Sequence, residues 1–253
     1  NITSQANTRA NITQKALTIT GITATDKVYD GSTNAMINAS SISNTALVGM
    51  GVVAGDNLTL SATGVFADKN VGTNRTVTLT SNYSGADLGN YNITSQANTR
   101  ASITHKALTI TGITATDKVY DGTTNATINA SSINNTALVG MGMVAGDSLT
   151  VATTGVFADK NAGANKTVTL TSNYSGADLG NYLITSQANT RANIRQKALT
   201  ITGITAADKV YDGTTTAVVN TSGVNNVSLA GMGLIAGDRL TVLATGEFAD
   251  MNV

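Results

Sequence analysis

An all-β array of small antiparallel sandwich modules, each about 91 residues long, is predicted from three observations. The chain repeats itself at a fixed period. Its apolar residues alternate with polar ones. Short turn signals separate the alternating runs.

The period comes first, because missing it would misread the whole fold. Tyr-Asp-Gly stands at 29–31, 120–122 and 211–213, a spacing of 91 residues with no insertion or deletion. Copies 1–91 and 92–182 match at 78 of 91 positions, and the copy at 183–253 has drifted further. The string Ile-Thr-His-Lys-Ala-Leu-Thr-Ile-Thr (103–111) reads as a seam, where one module's last strand meets the next module's first. The expected boundaries are therefore 15–105, 106–196 and an incomplete module at 197–253. Residues 1–14 read as the C-terminal strand of a preceding module, so the chain reads as a segment of a longer array. The seam holds neither Gly nor Pro, and adjacent modules are expected to be stiffly coupled.

Within a copy, Leu17 and Ile19 alternate with Thr18 and Thr20. Leu58, Leu60, Ala62, Gly64 and Phe66 share a face, as do Val77 and Leu79 among Thr76, Thr78 and Thr80. The longest run, Tyr91 through Ile103, alternates throughout and is expected to be one strand. Such alternation marks half-buried antiparallel strands. Turns fall at Asp30-Gly31, Ala54–Asp56, Ala67–Asn70 and Ser84–Asp87. The apolar, glycine-spaced stretch 45–56 does not alternate. It is either a short helical turn or an apolar loop.

Asp87-Leu88-Gly89-Asn90-Tyr91 has the D-x-G-x-Y spacing of a tyrosine corner, repeated at Asp178, Gly180 and Tyr182. There a Tyr hydroxyl bonds nearby backbone before a late strand, which makes the modules immunoglobulin-like. A β-grasp-like α+β module is the alternative.

Composition narrows function. Fifteen basic and fifteen acidic residues cancel, and only 12% of the chain is charged, so no basic stripe for nucleic acid is available. No apolar run reaches the length of a membrane span. The absence of Cys removes disulfides and thiolate metal sites.

No residue reads as catalytic. In Tyr29-Asp30-Gly31 the Asp-Gly pair suits a tight turn, and Tyr29 is expected to lie over a sheet edge with its hydroxyl in solvent. The single histidine, His105, stands where the other copies carry Gln14 and Gln196, so no Ser-His-Asp set recurs with the module. No catalytic, cofactor-binding or metal residue is assigned, and the chain is expected not to be an enzyme. Calcium is the one cofactor with a candidate donor set, in Asp26, Asp30, Asp56, Asp68 and Asp87, with Glu247 the lone glutamate. Yet Asp is also a plain turn former. Asn57, Asn74 and Asn82 head glycosylation triplets. Lys15 and Lys27 are the candidates for a lysine isopeptide crosslink. The Thr-x-Thr rows fit the solvent face of ordinary strands as well as an ice- or glycan-binding face.

The ordered motifs K-A-L-T-I-T, K-V-Y-D-G-T-T, V-A-G-D, F-A-D-K-N-V-G and S-G-A-D-L-G-N-Y resemble the YDG-type repeat. That repeat occurs in tandem in large bacterial surface adhesins of the filamentous-haemagglutinin, two-partner-secreted kind. The resemblance covers both complete modules and the start of the third. It implies a secreted Gram-negative protein at the cell surface or in biofilm matrix, and it carries over no catalytic residue. Three roles are open at this point. The array is a stalk, or a set of weak glycan or exopolysaccharide sites acting by avidity, or a fibre of self-associating copies joined by strand donation. The expected partners are neighbouring modules, other copies of the chain, and surface glycan.

Overall fold

The computed structural model describes residues 7–129 and 133–251. They fall into two compact units. The first holds the chain up to Ile110 together with Asn135–Thr150 and Tyr174–Thr185. The second holds Thr111–Asn134, Val151–Asn173 and the chain from Ser186 onward. The all-β tandem architecture is present, but the units are out of phase with the repeat, and the second copy is divided between them.

In the first unit the first copy supplies β1 (Lys15–Thr18), β2 (Lys27–Val28), β3 (Asn34–Ala35), β4 (Thr59–Phe66), β5 (Gly72–Ser84), β6 (Tyr91–Thr94) and β7 (Asn98–Thr104). Five of them form a sheet in the order β2-β7-β5-β4-β3. The β3·β4, β4·β5 and β5·β7 pairs are antiparallel. The alternation does what it predicts: Leu58, Leu60, Phe66, Val77, Leu79, Ala101 and Ile103 are buried while Thr76, Thr78 and Thr80 are exposed. Gly64 belongs to the buried face for lack of room. A Cβ there would lie 2.7 Å from Val77 and 2.9 Å from Ile37.

Two pairings of the first copy are parallel and depart from the antiparallel expectation, and their counterparts in the second copy do the same. β2 runs parallel to β7, and β1 runs parallel to β6. The expected single strand from Tyr91 to Ile103 is in fact two, β6 and β7. Gln96 lies between them. Its Oε1 accepts the Ile22 N–H at 2.9 Å, and its Nε2 donates to the Ile22 and Asn98 carbonyls at 3.0 and 2.8 Å. One side chain thus stands in for ladder bonds, and the chain changes partners.

Stretch 45–56 opens within α1 (Asn44–Gly49), capped by Ser43, whose Oγ accepts the Ala46 N–H at 3.3 Å. Six residues make about 9 Å of helix. That is too short to cross five strands spaced about 4.8 Å apart, as a β-grasp helix would. Leu47 and Val52 are buried from this stretch.

The second copy adds β8 (Lys106–Thr109), α2 (Asn135–Gly140) and β13 (Tyr182–Thr185) to the first unit, with β8 parallel to β13. In the second unit lie β9 (Lys118–Val119), β10 (Asn125–Ala126), β11 (Thr150–Phe157, from Val151), β12 (Gly163–Ser175, to Asn173) and β14 (Asn189–Arg195). They form a sheet in the order β10-β11-β12-β14-β9. The third copy contributes β15 (Thr205–Ala206), β16 (Thr216–Ala217), β17 (Val219–Asn220), α3 (Asn226–Gly231) and β18 (Gly246–Glu247).

Of the segment 1–14, expected to be a strand, residues 1–6 lie outside the described residues. Residues 7–14 form no strand. Their counterparts β7 and β14 are strands because β5 and β12 lie beside them. Among the described residues nothing plays that part for 7–14.

Candidate functional site: the junction between repeats

The YDG turn is built locally. Asp30 Oδ1 accepts the Ser32 N–H at 2.8 Å and the Lys27 ammonium at 2.7 Å. Lys27 also donates to the Ser32 carbonyl at 2.8 Å and lies over the Phe66 ring at 5.7 Å. Gly31 adopts φ +78, which suits glycine. Copies two and three repeat this set through Lys118, Asp121 and Phe157, and Lys209, Asp212 and Phe248. The Asp30 carboxyl is held below its usual value. Burial alone would raise it, but the Lys27 and Ser32 hydrogen bonds outweigh that. In the other copies the lysine bond takes Asp121 and Asp212 to about 2.

Tyr29 is not at a wetted sheet edge. It is fully buried, and its hydroxyl donates to Asp147 Oδ2 at 2.8 Å, 118 residues along the chain. Asp147 is the counterpart of Asp56 in the next copy. The same Oδ2 accepts the Tyr182 hydroxyl at 2.7 Å, and Oδ1 takes the Lys69 ammonium at 2.9 Å. Lys69 also reaches Asp178 at 3.2 Å. The Tyr29 and Tyr182 rings meet edge to face at 5.7 Å. Beside them the buried Asn181 accepts the Val71 N–H at 2.9 Å and donates to Asn70 at 3.1 Å. The approach is close enough that a Cβ on Gly31 would lie 2.7 Å from Val144 Cγ1. The YDG glycine therefore serves the turn and the neighbouring repeat together.

All of these residues belong to the first unit. The second unit repeats the arrangement one copy later. Tyr120 donates to Asp238 at 2.7 and 2.9 Å, Lys160 reaches the same carboxylate at 3.1 Å, and a Cβ on Gly122 would meet Ile235 at 2.6 Å. The third copy offers Tyr211, but Met251 stands where Lys69 and Lys160 stand.

The electrostatics are those of a closed contact. Burial, and then the Asp147 bond, raise the Tyr29 hydroxyl; burial first and Asp147 second raise Tyr182. The Asp147 bond, then Tyr29, raise the Lys69 ammonium. Burial would raise Asp147, yet the bonds from Lys69, Tyr182 and Tyr29 together lower it. Each group moves away from neutral pH. A proton-transfer site needs the reverse.

The tyrosine-corner residue Tyr91 does bond backbone, but not nearby backbone. Its hydroxyl accepts the Val53 N–H at 2.9 Å, 38 residues upstream, and donates to Asp56 at 2.6 Å. It ties the strand pair to the loop after α1. Tyr182 does the same at Val144.

The remaining candidate residues take ordinary places. Asp26 accepts the Ser102 N–H at 2.6 Å, Asp87 the Asn57 N–H at 2.7 Å, and Asp68 the Asn70 N–H at 2.8 Å. Asp68 also pairs with Arg75. Among the described residues no three acidic or histidine side chains gather as a metal site would require. Lys27 donates to Asp30 and Ser32, with no Asn amide among those partners, and Lys15 is exposed. Asn57, Asn74, Asn82, His105 and Glu247 are exposed. Among the described residues no helix is long and apolar enough to cross a membrane.

Sequence reasoning missed Lys69, Asn181 and the second role of the V-A-G-D aspartate. The signal was present in the recurrence of Asp56, Asp147 and Asp238 at the repeat period. Nothing in one sequence says that the partner of Tyr29 lies in the following copy.

A family model described as YDG domain matches residues 13–99, 104–190 and 195–253. No curated protein and no solved structure matches the chain.

Proposed function

The chain belongs to the YDG domain family, and from that premise we propose that it is a structural stalk segment of a secreted bacterial surface adhesin. Its modules act at the cell surface or in biofilm matrix by extending the protein, not by catalysis. The observation that carries this reading is the use made of the motif. The tyrosines of the first two YDG turns are spent on an aspartate of the next copy, Tyr29 on Asp147 and Tyr120 on Asp238. Residues engaged in this way couple neighbours, and coupled neighbours make a quasi-one-dimensional array whose stability is a sum of module and interface terms. The resting protonation states of the junction fit a contact and not a general acid or base. The lack of Cys and Pro fits a chain that crosses a membrane unfolded and refolds outside without slow isomerisation.

The test is binding of the intact 253-residue chain, immobilised at high density, to an array of bacterial and host glycans and to crude exopolysaccharide. The stalk reading expects no signal above an unrelated β protein. Saturable binding that grows with surface density would replace it with multivalent glycan recognition.

A further inference from the structure

The first and last segments of a copy run side by side, in parallel and at one offset. The first copy lies wholly in the first unit. There Lys15–Thr18 pairs with Tyr91–Thr94, and Lys27–Val28 with Ile103–Thr104. Side chains carry the register across the space between these pairs. Gln96 brackets the backbone of Ile22, and Asp26 Oδ1 accepts the Ser102 N–H at 2.6 Å. Asp26 and Ser102 stand 76 residues apart, as do the partners of both strand pairs. The Ile19 N–H donates to the Thr94 carbonyl and the Tyr29 N–H to the Thr104 carbonyl, both at 2.9 Å. Leu17, Ile19, Ile22 and Tyr29 are buried, so the first segment is seated in the core along its length. The second copy repeats every part. Lys106–Thr109 lies on Tyr182–Thr185, Gln187 on Ile113, Asp117 on Asn193, and Lys118–Val119 on Ile194–Arg195.

We propose that this pairing is a shear clamp, the device by which a copy resists tension along the chain. The direction of the strands decides it. The last strand of the first copy ends at Thr104, and the first strand of the next begins at Lys106. Tension along the array therefore pulls the first segment of a copy by its N-terminal end and the last segment by its C-terminal end. In an antiparallel pair those two ends lie at the same edge, and the bonds would open one after another. In a parallel pair they lie at opposite edges. The segments are then drawn past each other along their own axes, and the evenly spaced bonds between them share the load. Sliding by one residue gives no escape, because it would turn Leu17 and Ile19 out of the core. Forced unfolding is governed by the unfolding rate and not by equilibrium stability, so the clamp acts on a quantity that a melting curve does not read. That a copy meets tension in use rests on the stalk reading; its resistance to tension does not.

The chain has no cysteine, so two introduced ones are unique handles for single-molecule pulling of the 253-residue protein. Thr13→Cys with His105→Cys holds the first copy at opposite ends of the paired segments and loads them in shear. Thr13→Cys with Asn90→Cys holds it at the same end and peels them apart. All three positions are exposed, and the two proteins are expected to melt alike. At one loading rate the shear pair is expected to rupture at a force roughly twofold higher or more. Asp26→Ala, which removes the bond to Ser102, is expected to lower the shear force, because the remaining bonds share its load. It is expected to leave the initial peeling force unchanged, because that force is set by the bonds at Lys15 and Tyr91. Equal forces in the two geometries, or an Asp26→Ala variant that lowers both alike or neither, would overturn the clamp and leave the stalk reading standing. Saturable glycan binding by the array would remove the stalk reading and leave the clamp.

Discussion

Tyr29 and Tyr211 are the same residue of the same motif, one buried against Asp147 and the other exposed. That contrast makes a controlled experiment. Tyr29→Phe removes one of three donors to a buried carboxylate, and a hydrogen bond to a charged group is worth about 1.5–3 kcal/mol. Tyr211→Phe removes a hydroxyl that has no partner among the described residues and is expected to change stability by less than about 0.5 kcal/mol. Denaturant melts of the two variants check the difference, and equal effects would mean that Asp147 is satisfied without Tyr29. A second residue-level comparison lies in the cross-strand pair Ala62 and Ser81. Among the described residues, the Ser81 hydroxyl is the buried side-chain polar atom without a partner. In the second copy the same pair is Thr153 and Ser172, joined at 2.8 Å. Ala62→Thr is therefore expected to stabilise the first copy by about 1 kcal/mol, read as a shift in denaturant midpoint at constant slope. Destabilisation would mean that the strand has no room for the hydroxyl.

The elements show how far a pattern read along one chain can reach. Period-two alternation located β4, β5 and β7 and assigned their buried faces, because half-burial imprints itself on every second residue. Turn chemistry located the Asp30-Gly31 turn, whose bonds span two residues. What alternation does not encode is the partner. β1 pairs with β6 from 76 residues away, and in parallel, so the antiparallel expectation was incomplete there. The split of Tyr91–Ile103 was hidden for a related reason: Gln96 keeps the alternation going while its amide leaves the ladder for the buried Ile22. Gln96→Ala would strand the Ile22 N–H and carbonyl, and an unsatisfied buried group costs about 1–3 kcal/mol. Loss of that order, with amide exchange accelerated at Ile22, is the expected result. Protection at Ile22 equal to wild type would show that water or a neighbour replaces the glutamine. The junction was illegible for the same reason as the parallel pairs. The Asp-Gly turn and the recurring aspartates stood in the sequence, but a contact between copies is a property of three dimensions.

For the whole molecule the junction and turn charges set a pH window whose limits follow from their signs. Asp147, Asp121 and Asp212 have folded values below the ordinary 3.8, the latter two at about 2. Their contribution is complete above the unfolded value and is lost as pH falls through the folded one. Lys69, Tyr29 and Tyr182 have folded values above the ordinary 10.5 and 10.0. Their contribution is complete below the unfolded values and is lost as pH rises through the folded ones. Between these limits no shifted group changes its proton count. The melting temperature of the chain is therefore expected to be level from about pH 5 to pH 9 and to fall on both sides. The two limbs separate by substitution. Asp147→Asn keeps acceptor oxygen for the tyrosines but cannot titrate, so the acid limb becomes shallower while the turn aspartates remain. Lys69→Met, the residue that the third copy itself carries at this place, removes the ammonium from the basic limb and leaves Asp147 buried without a cation. It therefore lowers the plateau as well, because removing one member of a buried pair costs more than the pair contributes, though the part-exposed lysine tempers the loss. A plateau that Lys69→Met leaves in place would mean that the two tyrosine hydroxyls suffice to hold the carboxylate. The junction would then be held by its hydrogen bonds and not by the ion pair.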